Sequence, residues 1–454
     1  MMLAGERVQS PSEPIPSAEL EFHPHSFADD AGRLFFRDGE LYRGINAEKA
    51  PFFSGLFRDG IIQHLVGRGL LIESEPSDLS VEGYGMVLKH RTVPFISYPQ
   101  EWCAAMLKDA ALTIIDLMIE LAGRGLALKD AHPWNLVFDA CKPVYVDLTS
   151  IEPQRGESGW QAYDEFCRFC YYPLILMSHG QERIARALLP EYEGVRRKDL
   201  LTVMRGSAPS RFVLSKLLGR GLGSIRSAFG KGPGRGQATQ PFLRKVRADI
   251  EKIQLPSYEV GANDGTRPSL GSGPSPRPKL RALTGALAEL RPASVLDLSR
   301  DPDWPSVLAA ASGRKVVSLN SDPSRATAIY EMARDDNRPV LPLIIDFIKP
   351  TPSVGYSGHY SIAATERLMC DMVLALGLVN KVARENHFNF DLIAEGLSAF
   401  SKRWLVVEFA RNESRGASRP LALDDFIDSL GKRFRDVEVV SSVEEQSVLL
   451  LCEK

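Results

Sequence analysis

Hydrophobic and polar positions follow different patterns in the two halves of the chain. In the first half, strand-like pieces between residues 33 and 93 flank a predicted helix near residues 60–67, and a broad apolar face predicts a long helix over residues 101–123. A second helical stretch is predicted over residues 160–189. From residue 279 to the end, apolar strand-like runs alternate with helical stretches. That alternation predicts βαβ units, a mainly parallel sheet and a final antiparallel pair of strands.

These changes of pattern predict four segments. Residues 1–32 form a polar, proline-rich leader, and residues 33–254 form a first domain. Residues 255–278 form a linker rich in proline, glycine and serine, and residues 279–454 form a second domain. The basic, glycine-rich stretch 219–236 has no strand before it, so we interpret it as a loop rather than as a phosphate-binding turn.

Composition and charge narrow the possible functions. The 454 residues are 44% apolar and 25% charged, which is typical of a globular protein with more than one core. Because 55 basic residues nearly balance 57 acidic ones, no overall field attracts nucleic acid or anionic membranes. The sequence has no signal peptide pattern and no apolar run near the roughly 20 residues that span a bilayer, so a cytoplasmic protein without a membrane span is predicted.

Cysteine usage predicts neither a disulfide framework nor a metal site. Six cysteines are too few for such a framework in a chain of this length. Cys167 and Cys170 form a lone CxxC in a stretch rich in aromatic and apolar residues, with no further clustered ligands after it. We expect both thiols to be buried in a helix.

Polar residues follow the predicted strands of the second half. Five strands are predicted in the order SVLDLS, KVVSLN, LPLIIDF, DMVLALGLV and RWLVVEF. A doubly wound sheet binds its ligand at the carboxyl ends of its first strands, where the chain reverses its order across the sheet. The candidate ligand-binding residues there are Asp297, Ser299, Asp301, Asp303, Asn320, Asp322, Asp346 and Asp371. Asp297, Asp346 and Asp371 are equally suited to capping strands or helix starts.

Several phrases resemble a known family. LPLIIDFIKPTPSVGY, ATERLMCDMVLALGLV and RWLVVEF, together with LKDAHPWN in the first half, resemble the nodulation-associated (host-specificity) methyltransferases of bacteria. The resemblance implies a class I, Rossmann-like α/β fold with helices on both faces of the sheet, and S-adenosylmethionine (SAM) as cofactor. It implies that the turn after Asp297 meets the methionine part, that the end of the second strand holds the ribose, and that Asp346 meets the adenine. Methyl transfer to a small-molecule or glycan/natural-product-like acceptor is implied. Glu366, Arg367 and Glu408 lie near predicted strand ends and are candidates to orient or deprotonate it, with helix-face salt bridging as the alternative for Glu366 and Arg367.

The chain departs from the family at three places. Ser299, Asp301 and Asp303 stand where the family has a glycine-containing turn, and their side chains would crowd and repel the cofactor. Asn320 replaces the usual ribose-binding acid, with Asp322 as a possible substitute. After the fourth strand, asparagine and lysine replace a pair of histidines. We therefore expect weakened or lost cofactor binding as an alternative to full activity.

The first half contains a second candidate site. Asp130 and Asn135 are five residues apart and Asp147 follows twelve later, which resembles the catalytic loop and metal-binding aspartate of protein kinases and aminoglycoside-type phosphotransferases. In that chemistry Asp130 accepts the acceptor's proton, while Asn135 and Asp147 hold Mg²⁺ on ATP. No glycine-rich loop is found, and Lys89 is only the nearest candidate for the phosphate-binding lysine. The resemblance therefore implies an α+β kinase-like domain with a reduced amino-terminal lobe.

Three hypotheses follow from the sequence. The chain is a SAM-dependent methyltransferase with an attached kinase-like domain, a phosphotransferase with a degenerate second domain, or a non-catalytic binding protein in which both sites have decayed. In the last case Asp130, Asn135 and Asp147 form a hydrogen-bond network that only holds their loop.

Overall fold

A computed structural model describes residues 14–24, 26, 29–154, 160–204, 240–256, 278–300, 305–411, 421–443 and 447–454. Two main sheets organise these residues, an antiparallel one in the first half and a mostly parallel one in the second. The fold is α/β, with a kinase-like first part and a Rossmann-like second part, as predicted. Most of the predicted linker and the stretch 219–236 lie outside the described residues, so the segment boundaries stay predictions.

The first sheet is antiparallel, with the strand order β1-β2-β3-β5-β4. Its strands are β1 (Glu21–Phe22), β2 (Gly32–Arg37), β3 (Glu40–Asn46), β4 (Ser74–Pro76) and β5 (Tyr84–His90), and helices α1 (Ala50–Arg58) and α2 (Ile61–Gly67) connect β3 to β4. The β2–β3 hairpin turns at Asp38 and Gly39, with φ of 51° and 78°, as in the type I′ turns that Asp-Gly sequences favour. Strands β1 and β4 are only two and three residues long, which fits a reduced lobe.

Helix α3 (Ala104–Ala122) follows the first sheet and is buried on almost every side. After it, β6 (Leu126–Leu128) pairs with β9 (Ile151–Pro153), and β7 (Leu136–Asp139) pairs with β8 (Lys142–Tyr145) in a hairpin. The segment with the kinase-like spacing therefore runs between β6 and β9, and two antiparallel ladders hold it in place.

Helices make up the rest of the first half. They are α4 (Tyr163–Phe166), α5 (Tyr172–Ser178), α6 (Glu182–Leu188), α7 (Arg197–Met204) and α8 (Gln240–Glu251). A π-helical turn over Cys167–Tyr171 joins α4 to α5. Both cysteines of the CxxC are buried and free, as expected. Among the described helices, none combines the length and the apolar character needed to cross a membrane.

The second sheet has seven strands in the order β12-β11-β10-β13-β14-β16-β15. The parallel strands are β10 (Ser294–Asp297), β11 (Lys315–Asn320), β12 (Val340–Ile344), β13 (Cys370–Ala375) and β14 (Ser401–Ala410). Strand β16 (Ser447–Glu453) runs antiparallel between β14 and β15 (Asp436–Val443). Numbered from the first strand of this half, the order is 3-2-1-4-5-7-6. The five strands and the antiparallel pair occur where the apolar runs predicted them.

The connecting helices fix where a ligand can enter this sheet. They are α9 (Pro278–Leu290), α10 (Pro305–Ala311), α11 (Pro323–Asp335), α12 (Ala364–Arg367), α13 (Val379–Glu385), α14 (Phe390–Phe400) and α15 (Leu423–Gly431). After β12 the chain crosses back to place β13 beside β10. The carboxyl ends of β10 and β13 therefore flank the crevice where a doubly wound sheet binds its ligand.

A buried ion pair joins the two halves. The guanidinium of Arg367, at the end of α12, donates to the carboxylate of Glu101, which also accepts the backbone N–H of Tyr98 at 2.9 Å. The guanidinium lies over the Tyr98 ring, 4.6 Å from its centre. The side chains of Arg367 and Glu101 are only 3% and 1% exposed. Burial raises the pKa of Glu101, and the charge of Arg367 opposes that rise.

Replacing Arg367 with methionine (R367M) should lower the free energy of unfolding by about 3–5 kcal/mol, because it leaves a buried carboxylate without its cation. Urea unfolding measures this change, and adding E101Q to R367M should restore part of the loss. The matched control is R403M, which removes the exposed ion pair between Arg403 and Glu453 (3.2 Å) and should cost less than about 1 kcal/mol. Equal losses in R367M and R403M would contradict a special role for the buried pair.

Candidate functional site

Asp297 is the last residue of β10, and its carboxylate accepts hydrogen bonds from two backbone N–H groups. One oxygen accepts the N–H of Ser299 at 2.9 Å, and the other accepts the N–H of Ser306, in the first turn of α10, at 2.8 Å. The side chain is fully buried, and burial raises its pKa while these hydrogen bonds oppose the rise. Asp297 therefore holds the turn between β10 and α10, and it positions the turn rather than offering a free carboxylate to a ligand.

Ser299 follows Asp297 in the turn, and its side chain bonds to the backbone beyond the neighbouring strand. Ser299 is buried, and its hydroxyl accepts the backbone N–H of Leu376, just beyond β13, at 3.0 Å. That contact ties Ser299 to the neighbouring strand. Asp301 and Asp303 lie outside the described residues.

The ends of β11 and β12 bring two predicted residues to the carboxyl edge of the sheet. Asn320 ends β11 beside Ile344 of β12, and its buried amide makes one long contact, 3.5 Å from the Ser318 hydroxyl. Asp346 follows β12, accepts the N–H of Ile348 at 3.2 Å, and lies 3.7 Å from the guanidinium of Arg300. This ion pair connects the turn after the first strand to the end of the third.

Asp322 caps a helix. Its side chain accepts the N–H of Ser324 at 2.9 Å at the start of α11. The substitute ribose ligand predicted from the sequence is therefore already committed to this cap.

Two predicted site residues lie at the opposite edge of the sheet. Asp371 is near the start of β13, where its carboxylate accepts the N–H groups of Ala293 (2.8 Å) and Ser294 (3.0 Å) at the start of β10. Glu366 is exposed on α12, which precedes β13. The cofactor-binding role expected for Asp371 and the catalytic role expected for Glu366 are wrong, because the amino-terminal ends of parallel strands face away from the crevice.

Glu408 lies at the carboxyl edge but is engaged on both oxygens. One accepts the N–H of Gly377, directly after β13, at 3.0 Å, and the other lies 3.4 Å from the ammonium of Lys279. Nearby, the amide of Asn380 exchanges two hydrogen bonds of 2.8 Å with the backbone of Ala410. Asn380 therefore joins α13 to the end of β14.

The three residues of the kinase-like spacing come together around Tyr145. The Tyr145 hydroxyl donates to the carbonyl of Asp130 at 2.8 Å and accepts from the amide of Asn135 at 3.3 Å. The same amide lies 3.4 Å from a carboxylate oxygen of Asp147. These contacts form the hydrogen-bond network that the sequence offered as the structural alternative.

Arg43 on β3 completes this site, and the sequence analysis missed it. Its buried guanidinium pairs with Asp29, donates to the Thr149 hydroxyl at 2.7 Å and lies 3.6 Å from Asp147. The Thr149 oxygen is 2.6 Å from Asp147, so both oxygens of that carboxylate have polar neighbours. The only sign of this role in the sequence was a charged residue inside a short predicted strand.

Lys89, the cation suggested by the sequence, lies elsewhere. Its ammonium is 3.4 Å from Glu40 at the edge of the β2–β3 hairpin. Arg43, and not Lys89, is the cation beside Asp147.

His90 shares a sheet face with Arg43. In the ladder between β3 and β5, Leu41 pairs with His90 and Arg43 pairs with Leu88, which places both polar side chains on one face. Ser74 donates its single hydroxyl proton to Ile72, so the Nδ1–H of His90 donates to Ser74 at 2.7 Å. The buried Nε2 has no partner among the described residues. Burial, and then the charge of Arg43, lowers the pKa of His90 to about 3.

The free energy of unfolding should therefore fall as the pH drops below about 6.5, because His90 takes up a proton in the unfolded state but not in the folded state until about pH 3. Between pH 6.5 and 5 this one group should contribute about 2 kcal/mol of loss. Urea unfolding at a series of pH values measures it. H90N keeps a polar group near Ser74 and should flatten the pH dependence by that amount; an unchanged slope in H90N would contradict the assignment.

Comparison with known proteins gives one relative along most of the chain. No protein-family model matches this chain. The chain is 25% identical to the nodulation protein NoeA of Rhizobium meliloti (strain 1021) over 415 residues, which are 87% of this chain and 86% of that protein. The relationship to nodulation-associated proteins that the motifs indicated is thereby confirmed.

Several solved structures are similar to part of this chain. The bifunctional kinase-methyltransferase WbdD is 13% identical over 38% of each chain with a TM-score of 0.30. TehB from Haemophilus influenzae is 13% identical over 38% of this chain and 61% of its own, with a TM-score of 0.29. The T. thermophilus 16S rRNA methyltransferase RsmC, solved with AdoMet and guanosine, is 14% identical over 40% and 44%, with a TM-score of 0.26. Less than two thirds of each of these proteins is matched, so the fold assignment depends on the strand order of the chain itself.

Proposed function

We propose that this chain is a SAM-dependent methyltransferase whose cofactor binds at the carboxyl edge of the second sheet. The observation that carries the proposal is the strand order 3-2-1-4-5-7-6, which reverses between β10 and β13 and so creates a ligand crevice at their carboxyl ends. The sequence resemblance to the host-specificity methyltransferases supports the same function.

Asn320 is the residue best placed to hold the ribose. It ends the second strand, it is buried, and its amide has one long contact to Ser318. Its carbonyl oxygen can accept a hydrogen bond from a ribose hydroxyl without breaking a strong internal bond. An amide forms a weaker bond than the charged carboxylate it replaces, so we propose a modest affinity for SAM.

Asp346 would meet the adenine amine once it separates from Arg300. The two charged groups are 3.7 Å apart, and each side chain is about a third exposed, at 35% and 30%. An ion pair of that exposure contributes only about 0–1 kcal/mol. Opening the pair therefore costs little compared with the binding energy of a cofactor.

Bound SAM supplies a methyl group on a sulfonium, and the protein contributes mainly by positioning the acceptor in line with it. Asp297 contributes by fixing the first turn. Glu408 can orient an acceptor, but its two oxygens are held by Gly377 and Lys279, so it is a weak candidate for removing a proton. The acceptor we propose is a small molecule or a glycan-like natural product with a nucleophilic oxygen or nitrogen.

A phosphotransferase in the first half is the second candidate. It is favoured by the convergence of Asp130, Asn135 and Asp147 around Tyr145. Arg43 and Thr149 already satisfy Asp147, however, and would compete with the Mg²⁺ of Mg-ATP.

Isothermal titration calorimetry with SAM, with its demethylated product and with Mg-ATP tests these functions. We expect SAM and its product to bind the full chain. N320A should weaken SAM binding about tenfold, the effect of losing one neutral hydrogen bond of about 1.4 kcal/mol. The matched control is N386A, an exposed asparagine that ends α13 and should leave SAM affinity unchanged.

The three outcomes separate the hypotheses. Binding of Mg-ATP without SAM would favour the phosphotransferase and contradict our proposal. Binding of none of the three ligands would favour a non-catalytic binding protein. SAM binding that N320A and N386A reduce equally would leave the cofactor but refute the placement of its ribose at Asn320.

A further inference from the structure

Three potential metal ligands meet beside the kinase-like loop. Asp130 and His132 lie between β6 and β7, and Glu165 lies on α4. One ligand atom from each of the three residues lies within 4.8 Å of the other two. This trio differs from the Asn135 and Asp147 pair of the kinase-like spacing, and the proposed methyltransferase function does not use it.

Backbone contacts fix the position of the trio. The N–H of Asp130 donates to the Ser150 hydroxyl at 3.0 Å, and its carbonyl accepts from the Tyr145 hydroxyl at 2.8 Å. One oxygen of Glu165 accepts the N–H of Ala131 at 2.8 Å, which ties α4 to the loop and leaves the other oxygen available. Ligands held in this way need little rearrangement to bind an ion.

The two carboxylates of the trio lie close to each other and to the imidazole of His132. Within the described part of the chain, the hydrogen bonds of Asp130 involve its backbone and not its carboxylate. The Nδ1 of His132 is buried and has no hydrogen-bond partner among the described residues. Two neighbouring carboxylates and an uncommitted imidazole nitrogen are groups that a cation would satisfy together.

We propose that Asp130, His132 and Glu165 form a binding site for a first-row divalent metal ion, with Zn²⁺ as the best fit. Imidazole suits Zn²⁺ and related ions, whereas Mg²⁺ prefers oxygen ligands alone. Zn²⁺ bonds to nitrogen and oxygen are about 2.0–2.2 Å, so two ligand atoms on one tetrahedral ion are about 3.3–3.6 Å apart. Side-chain rotations that bring the ligand atoms closer by up to about 1.5 Å close the trio to that separation.

Such a site gives the loop a different role from the one its spacing suggests. An ion on the Asp130 carboxylate occupies the group that would otherwise accept a proton in phosphoryl transfer. Three protein ligands leave a fourth position for water or for an anionic oxygen of a bound molecule.

Calorimetry of the full chain, stripped with a chelator and titrated with ZnCl₂, MnCl₂ or MgCl₂, tests this site. We expect one equivalent of Zn²⁺ or Mn²⁺ to bind and Mg²⁺ to bind far more weakly. H132N and E165Q should each weaken Zn²⁺ binding by at least tenfold, while N135A and D147N should not. The matched control is H64N, which replaces a histidine that pairs with Glu120 at 3.0 Å on another surface and should leave Zn²⁺ binding unchanged.

A spectroscopic measurement on the unaltered chain removes any dependence on the folding of the variants. Electron spin echo modulation of bound Mn²⁺ should show coupling to a directly bonded nitrogen from His132. The proposal is overturned if neither ion binds saturably, if H132N binds Zn²⁺ normally, if the nitrogen coupling is missing, or if only N135A and D147N lose the ion.

Discussion

Burial of helix α3 is the constraint on which the rest of the structure depends. Twelve of its nineteen residues are buried, so the helix needs apolar neighbours on almost every side, and both halves of the chain supply them. Its surface carboxylate, Asp109, accepts from the hydroxyl of Tyr330 at 2.7 Å and from the guanidinium of Arg334 at 3.0 Å, both on α11 of the second half. One apolar core continues through both halves of the described chain. The positions of the two candidate sites are therefore fixed relative to a single helix.

At the carboxyl edge of the second sheet, unpaired backbone N–H groups compete with a ligand for the polar side chains. A short carboxylate beside a turn or a helix start finds unpaired N–H groups within reach, and bonding them satisfies both partners. The carboxylates of Asp297 and Asp322 both accept such backbone N–H groups. The side chain of Asn320 does not, because Asn320 ends a strand whose neighbouring N–H groups already donate within the sheet. Its amide can therefore still form hydrogen bonds to a ligand.

The strands of the second sheet could be predicted from the sequence because they are short apolar runs that alternate with helical stretches. The chemistry of the edge was less predictable. Asp371 opens the predicted strand DMVLALGLV and stands near the start of β13, and in a parallel sheet a side chain at the start of a strand lies at the edge away from the crevice. Arg43 and Glu165 could not be found from spacing, since Arg43 reaches Asp147 across more than a hundred residues and Glu165 meets the loop from a separate helix. Such contacts depend on tertiary packing and leave no local pattern.

The energetic cost of opening each site separates the two candidate functions. In the first half, an ion that binds Asp147 must compete with the guanidinium of Arg43, which is buried and already balances Asp147 and Asp29. Displacing a buried cation from its partners is expensive, because it stays desolvated while losing its compensating charge. At the edge of the second sheet, a ligand has only to separate Arg300 from Asp346, each about a third exposed, and to replace one long contact of Asn320. Binding of a magnesium nucleotide at Asp147 therefore has a much larger energetic cost than binding of an adenosyl group at the edge of the second sheet. This difference favours methyl transfer.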